Sequence, residues 1–413
     1  MSGSYRLADD PLFTGGCLAT DAAVFEALFN TVVAAGGGEI ILPGGDIVLE
    51  QTVFLKNPSP SPKVRIVGLG AGCTRFLNSA GTQAMFWVGD DTDATYTRYI
   101  TFEGFSLATT VAQTDNDAGF FLRNTSDITF KDVFADGFRN GWSFGVGAPS
   151  TNNSVYSHLH NCGGNSSGPC TVAMIRLGSG GILTIDGGAH RWNASGGHQF
   201  LRQDNVSWNW DGLYVYGQFF EHFSKYLVAV GKGLVNVDWA GGQMDRADIF
   251  FQAEASAGGS NRGWKIHDND ILGFPCTFDG NGVPIKNGAI GILTGVGQSS
   301  DPRAIENIMV TNNRFDGLSD VCIYAANGEI LATENTMVNC ANWGGGAPCG
   351  GALIRLGQGR AKIQGNTGYR PNNPYGESYR VGVRCDGPAH PRRKVDADND
   401  WYDYGDRPVL GTP

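Results

Sequence analysis

The sequence predicts an all-β protein: a parallel β-helix, a solenoid of about ten coils, with one short capping helix at its N-terminal end. Three observations predict this fold. Glycine supplies 61 of the 413 residues, about twice its ordinary share of ~7%, which indicates many tight turns. Short runs of β-branched and aromatic residues recur about 20–45 residues apart, and a second set of runs falls between them. Two or more strands per period, with no room for crossover helices, are typical of stacked coils rather than propeller blades.

The first element is the one predicted helix, over residues 21–35. Ala22, Phe25 and Val32 recur at helical spacing behind Asp21, a favourable N-cap, and the GGG at 36–38 ends the segment. We therefore predict an N-terminal extension at 1–19, a β-helix domain at 20–385 and a polar C-terminal tail at 386–413.

The later elements are short strands that align by their inward residues. The aligned runs share one inward column, made of Ile185, Val215, Val237, Ile266, Val310, Ala332 and Ile363. Three residues later, a turn column holds Asn269, Asn313, Asn335 and Asn366. Because stacked amides at a turn can hydrogen-bond to one another, these asparagines are predicted to form a structural ladder.

Composition narrows the possible partners. Only 17% of the residues are charged and the net charge is −10, whereas a nucleic-acid binder normally shows a basic patch. No apolar run approaches the ~18–20 residues of a membrane span, and the first residues lack the pattern of a signal peptide. We therefore expect no nucleic-acid partner, no membrane insertion and no visible secretion signal.

The nine cysteines are scattered and odd in number, so most of them are predicted to be buried thiols. Cys162 and Cys170 close a glycine-rich loop, and Cys340 and Cys349 close a similar one. The spacing within each loop is wide and neither loop contains a histidine, so the loops are poor zinc sites. The sequence predicts no metal site and no cofactor.

Residues 20–74 carry a resemblance to a known group of proteins. The segments TDAAVFEALFN, AAGGGEIILPGGDIVL and VRIVGLGAGCT resemble the entry to the pectate-lyase-like superfamily, in which a short helix caps a right-handed parallel β-helix. That superfamily includes lyases, glycoside hydrolases, epimerases, fructotransferases and bacteriophage tailspikes. The chain most resembles a tailspike polysaccharide depolymerase. This resemblance implies a polysaccharide substrate, a homotrimer and an extracellular or virion-associated location. No residue matches the calcium site or active site of the pectate lyases.

The candidate acid and base lie in the outward position that follows the inward column. Asp186, Tyr216, Asp238 and His267 occupy it on successive aligned coils. Coils stack at ~4.8 Å, so two coils separate Asp186 from Asp238 by a distance near the ~6.5–9.5 Å of an inverting glycosidase pair. We predict that these two carboxyls are the catalytic pair and that Tyr216 and His267 bind substrate.

Further candidates surround this column. Asp245 and Glu254 are additional catalytic candidates that could reach the same face from a loop. Tyr214, Lys265 and Trp239 are predicted substrate contacts. Tyr214 and Trp239 lie in an aromatic-rich stretch, residues 191–239, and about half of the aromatic side chains of that stretch should be core. Arg176 and Arg202 lie outward on adjacent coils, where they could grip an acidic sugar or pair with a neighbouring carboxylate.

Four functions fit these residues. The first is glycoside hydrolysis of a bacterial surface polysaccharide. The second is elimination from a uronate-containing glycan, with His267, Lys265 or Tyr216 as the base. The third is a fructan-cleaving transferase on the same scaffold. The fourth is a non-catalytic carbohydrate-binding or structural virion protein.

Overall fold

The computed structural model confirms a nearly all-β chain built of long parallel sheets. It describes residues 3–15, 19–57, 60–79, 84–91, 95–109, 111, 117–147, 153–166, 173–192, 199–205, 207–221, 223–254, 258–273, 277–278, 284–285, 290–295, 305–318, 320–340, 352–369, 381–386, 391–401 and 409–410. The chain divides into two compact units, Met1–Val215 (unit 1) and Tyr216–Pro413 (unit 2). Within the described part of the chain, no helix is long and apolar enough to cross a membrane.

Unit 1 begins with a short strand and a 3-10 helix, Leu7–Asp9, followed by α1, Ala19–Ala34. Its strands are β1 Gly3–Arg6, β2 Gly38–Ile41, β3 Gly45–Leu49, β4 Val53–Leu55, β5 Val64–Val67, β6 Thr74–Asn78, β7 Ala84–Gly89, β8 Thr97–Thr109, β9 Ala118–Arg123, β10 Thr125–Asp136, β11 Asn140–Phe144, β12 Ser154–His160, β13 Gly164–Ser166, β14 Ala173–Leu177, β15 Gly180–Asp186, β16 Ala189–Trp192, β17 Gln199–Gln203 and β18 Trp210–Tyr216. The last residue of β18, Tyr216, belongs to unit 2.

Unit 2 contains the remaining strands. They are β19 Phe219–Glu221, β20 Lys225–Ala229, β21 Leu234–Ala240, β22 Gln243–Asp245, β23 Ile249–Ala253, β24 Asn261–His267, β25 Asp270–Leu272, β26 Thr277–Phe278, β27 Pro284–Ile285, β28 Ile290–Thr294, β29 Ile305–Thr311, β30 Arg314–Asp316, β31 Val321–Ala325, β32 Glu329–Thr333, β33 Thr336–Val338, β34 Ala352–Leu356, β35 Arg360–Gln364, β36 Thr367–Tyr369, β37 Val381–Cys385, β38 Arg393–Val395, β39 Asp400–Trp401 and β40 Val409–Leu410.

Each unit arranges its strands in three sheets. In unit 1, sheet A1 has the order β1-β2-β5-β8-β10-β12-β15-β18, with β3 and β6 joined to β8; sheet B1 is β4-β7-β9-β11-β14-β17, and sheet C1 is β13-β16. In unit 2, sheet A2 is β21-β24-β29-β32-β35-β38, sheet B2 is β20-β23-β28-β31-β34-β37-β40, and sheet C2 is β19-β22-β25-β30-β33-β36-β39. The pair β26 and β27 is antiparallel.

Each coil of unit 2 passes through its three sheets in turn, A2, C2 and B2, before it returns to A2. This is the path of a parallel β-helix. Counted by the B strands of the described residues, unit 1 has six coils and unit 2 has seven, where about ten were predicted in total.

The helix differs slightly from its prediction. It begins two residues earlier, at Ala19, so Asp21 lies in its first turn rather than at the N-cap. The buried Asp21 carboxylate instead accepts hydrogen bonds from the backbone N–H and the hydroxyl of Thr14. The apolar face packs as expected: Phe25 meets Phe76 and Phe86 edge to face.

The asparagine ladder is confirmed. The Asn269 side-chain amide donates to Asn313 Oδ1 at 2.9 Å, Asn313 donates to Asn335 at 3.1 Å, and Asn335 donates to Asn366 at 2.9 Å. All four side chains are buried. The ladder continues to Asn399, which lies within the segment that the sequence predicts to be a polar tail. In that segment β38, β39 and β40 pair with strands of A2, C2 and B2.

One step of the predicted alignment is wrong. Val237 pairs with Trp264, and Trp239 pairs with Ile266, so β24 is shifted by two residues from the predicted register. The later pairs of the column, Ile266 with Val310 and Ala332 with Ile363, are confirmed. A shift of two residues keeps the same side chains inward, because successive strand residues alternate between the two faces.

Candidate active site

The candidate active site lies on the outward face of A2, at the end of its first two strands. Asp238 lies between Val237 and Trp239, both fully buried, so its side chain points outward. His267 is the last residue of β24, and Asp268 follows it with a left-handed φ of 56°. That turn directs the Asp268 carboxylate back toward the His267 ring.

Five side chains form a continuous chain of hydrogen bonds there. The Tyr216 hydroxyl donates to Asp238 Oδ2 at 3.2 Å. His267 Nε2 lies 2.8 Å from Asp238 Oδ1, and His267 Nδ1 lies 2.6 Å from Asp268 Oδ2. The Asn312 side-chain amide donates to the other oxygen of Asp268. The imidazole is thus held between two carboxylates.

This arrangement sets the charge of the site. Burial lowers the pKa of His267, but the hydrogen bonds to Asp268 and Asp238 outweigh it and raise that pKa above its ordinary value. The hydrogen bonds from His267 and Asn312 lower the pKa of Asp268. A protonated imidazole beside carboxylates is an arrangement that can give a proton to a leaving group.

The register of A2 changes which residues are neighbours. Asp238 pairs with Lys265, whereas His267 pairs with Ala240. His267 therefore reaches Asp238 diagonally across the two strands, and the exposed Lys265 lies directly opposite Asp238. Tyr216, His267 and Lys265 are brought to one surface, as predicted, but not by the predicted alignment.

The other catalytic candidates of unit 2 lie on other sheets. Asp245 is a strand residue of C2, and its carboxylate lies 3.3 Å from Arg246 Nε. Glu254 directly follows β23 of B2. We expected Asp245 and Glu254 to reach the face of Asp238 from a loop. For Asp245 this expectation is wrong, because Asp245 lies in a strand of C2. Asp238, Asp245 and Glu254 belong to the successive A2, C2 and B2 segments of one coil.

Trp239 is not a substrate contact. Its ring is fully buried and packs against Phe220 and Phe251, with centroid distances of 5.6 and 5.1 Å. Strand alternation is the reason, because the residue after an outward Asp238 must point inward. The mixed composition of the aromatic stretch is confirmed among its described side chains: Trp210, Phe220, Phe223, Tyr226 and Trp239 are buried, whereas Trp208, Tyr216 and Phe219 are exposed. Tyr214 is half-buried in β18.

Asp186 has a different environment in unit 1. His158 Nε2 lies 2.9 Å from its Oδ2, and His160 Nδ1 lies 2.5 Å from its Oδ1. Burial raises the pKa of Asp186, but the hydrogen bonds from His158 and His160 outweigh it and lower that pKa. Asp186 and Asp238 lie in different units, so their catalytic pairing stays a prediction.

The two predicted arginines pair with a carboxylate of their own chain. Arg176 and Arg202 are register partners on β14 and β17. Arg176 Nη2 lies 3.3 Å from the Asp204 carboxylate and Arg202 Nε lies 3.0 Å from it. Of the two predicted uses, gripping an acidic sugar or pairing with a neighbouring carboxylate, the structure shows the second. They belong to sheet B1 and not to an A sheet.

Sequence reasoning missed four residues of these clusters. Asp268 and Asn312 were overlooked because a turn residue has no strand alternation to mark its direction. His158 and His160 were overlooked although SVYSHLHN places two histidines two residues apart, and thus on one face of a strand. The register that sets them against Asp186 follows only from the fold.

A concavity among the described residues lies away from the predicted site residues. A cavity of about 680 Å³ in unit 1 is bordered by Asp46, Arg75, Ser106 and Asp136. Arg75 and Asp46 form an ion pair across two strands. None of the predicted site residues lines it. The Asp238 site is instead part of a sheet surface, a shape that suits an extended chain better than a small molecule.

Comparison with known proteins supports the fold. No family model matches the chain, and no curated protein matches it by sequence. Solved structures do match. PfbA, a surface adhesin of Streptococcus pneumoniae, has a TM-score of 0.58 and 14% identity, over 89% of this chain and 92% of that one. The catalytic domain of a GH87 α-1,3-glucanase has a TM-score of 0.52 and 13% identity, over 91% and 67%. The Dettilon tailspike has a TM-score of 0.52 and 11% identity, over 99% and 68%. Likenesses at such identities establish the β-helix and nothing finer.

Proposed function

We propose that this chain is a polysaccharide-cleaving enzyme whose active site is formed by Tyr216, Asp238, His267 and Asp268. The observation that carries the proposal is the imidazole of His267 held between two carboxylates on an outward sheet face. Two of the solved structures that the fold resembles are a glucanase catalytic domain and a tailspike, which supports a polysaccharide as substrate. We also propose that the protein is a homotrimer with an extracellular or virion-associated location, as expected from the sequence.

Hydrolysis is the first form of the reaction. Protonated His267 gives its proton to the glycosidic oxygen as the C–O bond breaks. Water then takes the place of the leaving group on the same side of the sugar, because Asp238 and His267 are only 2.8 Å apart. The water oxygen bonds to the anomeric carbon, and Asp238 accepts the water proton and returns it to His267. Asp268 orients the imidazole and stabilises its charge. Exposed Tyr216 and Phe219 offer ring faces to the sugars.

Elimination is the second form, and the contact of Tyr216 and His267 with the same carboxylate favours it. One of the two would remove the proton beside a uronate carboxyl, and the other would protonate the leaving oxygen. Lys265, in register with Asp238, would neutralise the uronate. Arg176 and Arg202 are not assigned this role, since both already pair with the Asp204 carboxylate in unit 1.

A substrate panel tests the function. The purified chain is incubated with bacterial capsule, pectic, alginate and fructan polysaccharides. New reducing ends indicate hydrolysis, ultraviolet-absorbing unsaturated uronates indicate elimination, and a non-reducing cyclic disaccharide indicates a fructotransferase. Binding of a glycan without formation of any product would contradict the enzymatic function and favour a binding or structural protein. The mass of the folded particle in solution tests the trimer separately.

Two substitutions test the site. Asp238→Asn and His267→Gln should each lower turnover by about 10²–10⁴-fold, the usual effect of removing a general acid or base. Asp270→Asn is the matched control, because Asp270 is an exposed carboxylate that begins β25 of C2. It should keep turnover within about twofold. Equal turnover in all three variants, with folding confirmed by circular dichroism, would overturn the site assignment.

A further inference from the structure

His158, His160 and Asp186 form a cluster in unit 1 that the proposed active site does not use. His158 and His160 are two residues apart on β12, so both side chains leave the same outward face of A1. His160 is the register partner of Asp186 on β15, and His158 is the partner of Thr184. One strand thus supplies two imidazoles and the next supplies one carboxylate.

The donor atoms of this cluster converge. One ligand atom from each residue can be chosen so that all three lie within 4.8 Å of one another. His158 presents Nε2 and His160 presents Nδ1 to the two oxygens of Asp186, at 2.9 and 2.5 Å. Zinc bound at ~2.0–2.1 Å needs tetrahedral donors roughly 3.3 Å apart. Small side-chain rotations would therefore admit a metal between them.

The donor set indicates the class of metal. Two imidazole nitrogens and one carboxylate oxygen suit a divalent first-row transition ion, whereas magnesium and calcium prefer oxygen ligands. Three protein ligands leave at least one position for water or for a ligand from solution. The side chains of His158, His160 and Asp186 are 40%, 50% and 34% exposed, so an ion can enter from solvent.

Neighbouring charges do not oppose a cation at this place. The nearest basic side chain along the register is Lys131, which pairs with His160. Lys131 Nζ lies 2.9 Å from Glu103 Oε1, and Glu103 also binds Arg65. Asp132, the residue after Lys131 in β10, accepts a hydrogen bond from the Asn161 side chain. The charged side chains around the two histidines are therefore either ion-paired or negatively charged.

We propose that His158, His160 and Asp186 bind one divalent transition-metal ion of the zinc class. None of the three residues belongs to the proposed polysaccharide-cleaving site of unit 2. It assigns Asp186 the role of a metal ligand instead of the catalytic carboxyl predicted from the sequence. Because two ligands come from β12 and the third comes from β15 on the next coil, the ion would also cross-link these strands.

Direct metal binding tests this proposal. The chain is stripped with a chelator, dialysed against zinc, and its metal content is measured by mass spectrometry; titration calorimetry gives the affinity. One zinc per chain is expected. Cobalt(II) bound in its place should give the visible absorption of a tetrahedral or five-coordinate centre. Absence of stoichiometric zinc and cobalt binding in the folded chain would overturn the proposal.

Variants identify the ligands. His158→Gln, His160→Gln and Asp186→Asn should each weaken zinc binding by about 100-fold or more. Changing a residue that only supports a metal ligand already weakens binding by ~10–100-fold, and loss of a ligand itself should cost at least as much. His267→Gln is the matched control, because it removes another histidine that contacts carboxylates, and zinc affinity should stay unchanged.

Zinc should also raise the melting temperature of the parent chain and not that of a ligand variant. An equal response in the control and the ligand variants would contradict the assignment. A ligand variant that fails to fold is replaced by Asp186→Glu, which keeps the carboxylate and should retain partial binding.

Discussion

His267 shows how the environment of one side chain sets its chemistry. Its imidazole contacts Asp238 on one side and Asp268 on the other, and the raised pKa follows from those two contacts. The sequence shows a histidine on a strand and an acidic residue next to it. It does not show that the ring is held on both sides.

We predict that cleavage requires the protonated form of His267. The rate should fall as pH rises through its raised pKa. Asp268→Asn removes a hydrogen-bonding carboxylate that raises this pKa, so the falling limb should move to lower pH. The measurement is kcat/KM against pH for both proteins. A limb that stays in place or moves to higher pH would contradict the role of Asp268.

A stability measurement checks the same residue without any substrate. A group whose pKa is raised on folding stabilises the protein fully below its unfolded pKa, here ~6.5 for histidine. That contribution is lost as pH rises through the folded pKa. The difference in melting temperature between the parent chain and His267→Gln should therefore shrink from mildly acidic to alkaline pH. A difference that grows with pH would contradict the raised pKa.

At the scale of elements, the asparagine ladder joins the turns of successive coils. Asn335 donates to Val310 O and to Asn366 Oδ1, both at 2.9 Å. Its own Oδ1 accepts from the backbone and side-chain N–H groups of Asn313 at 3.1 Å. The residue before each of the four predicted ladder asparagines is left-handed, as at Asn312 and Glu334, which turns the chain from sheet A2 into C2.

We predict that Asn335→Ala lowers the free energy of unfolding by about 2–4 kcal/mol. Buried donors and acceptors of two neighbouring coils lose their partner, and each unsatisfied group costs about 1–3 kcal/mol. Thr336→Ala is the control, since Thr336 is the next residue and is exposed. It should change stability by less than about 0.5 kcal/mol. Denaturant unfolding measures both, and equal losses would exclude the ladder as the cause.

At the scale of the whole molecule, glycine allows coils to approach one another. A Cβ at Gly145 would lie 2.0 Å from the backbone oxygen of Ser179 on the next coil. At Gly365 the nearest atom is a side-chain carbon of Glu334 at 3.6 Å. The two glycines have nearly the same φ, 61° and 62°. They therefore separate the cost of a left-handed backbone from the cost of a blocked contact.

We predict that Gly365→Ala costs about 1–2 kcal/mol, the ordinary penalty of a left-handed alanine. Gly145→Ala should cost at least about 2 kcal/mol more, because the Ser179 carbonyl must move as well. Thermal and denaturant unfolding of the two variants give the comparison. If the two variants lose the same stability, close stacking does not explain why glycine stands at position 145 of this chain.

The parallel β-helix, the direction of most side chains and the asparagine ladder were predictable from the sequence by itself. They depend on a period of two within each strand and on repetition along the chain, and both are visible in the residues. The tertiary structure decided the register of β24, the sheet to which Asp238, Asp245 and Glu254 each belong, and the burial of Trp239. It also brought His158 and His160 against Asp186. The physical reason is that a shift of two residues leaves the inward and outward pattern unchanged, so only the packing of neighbouring coils selects which side chains meet.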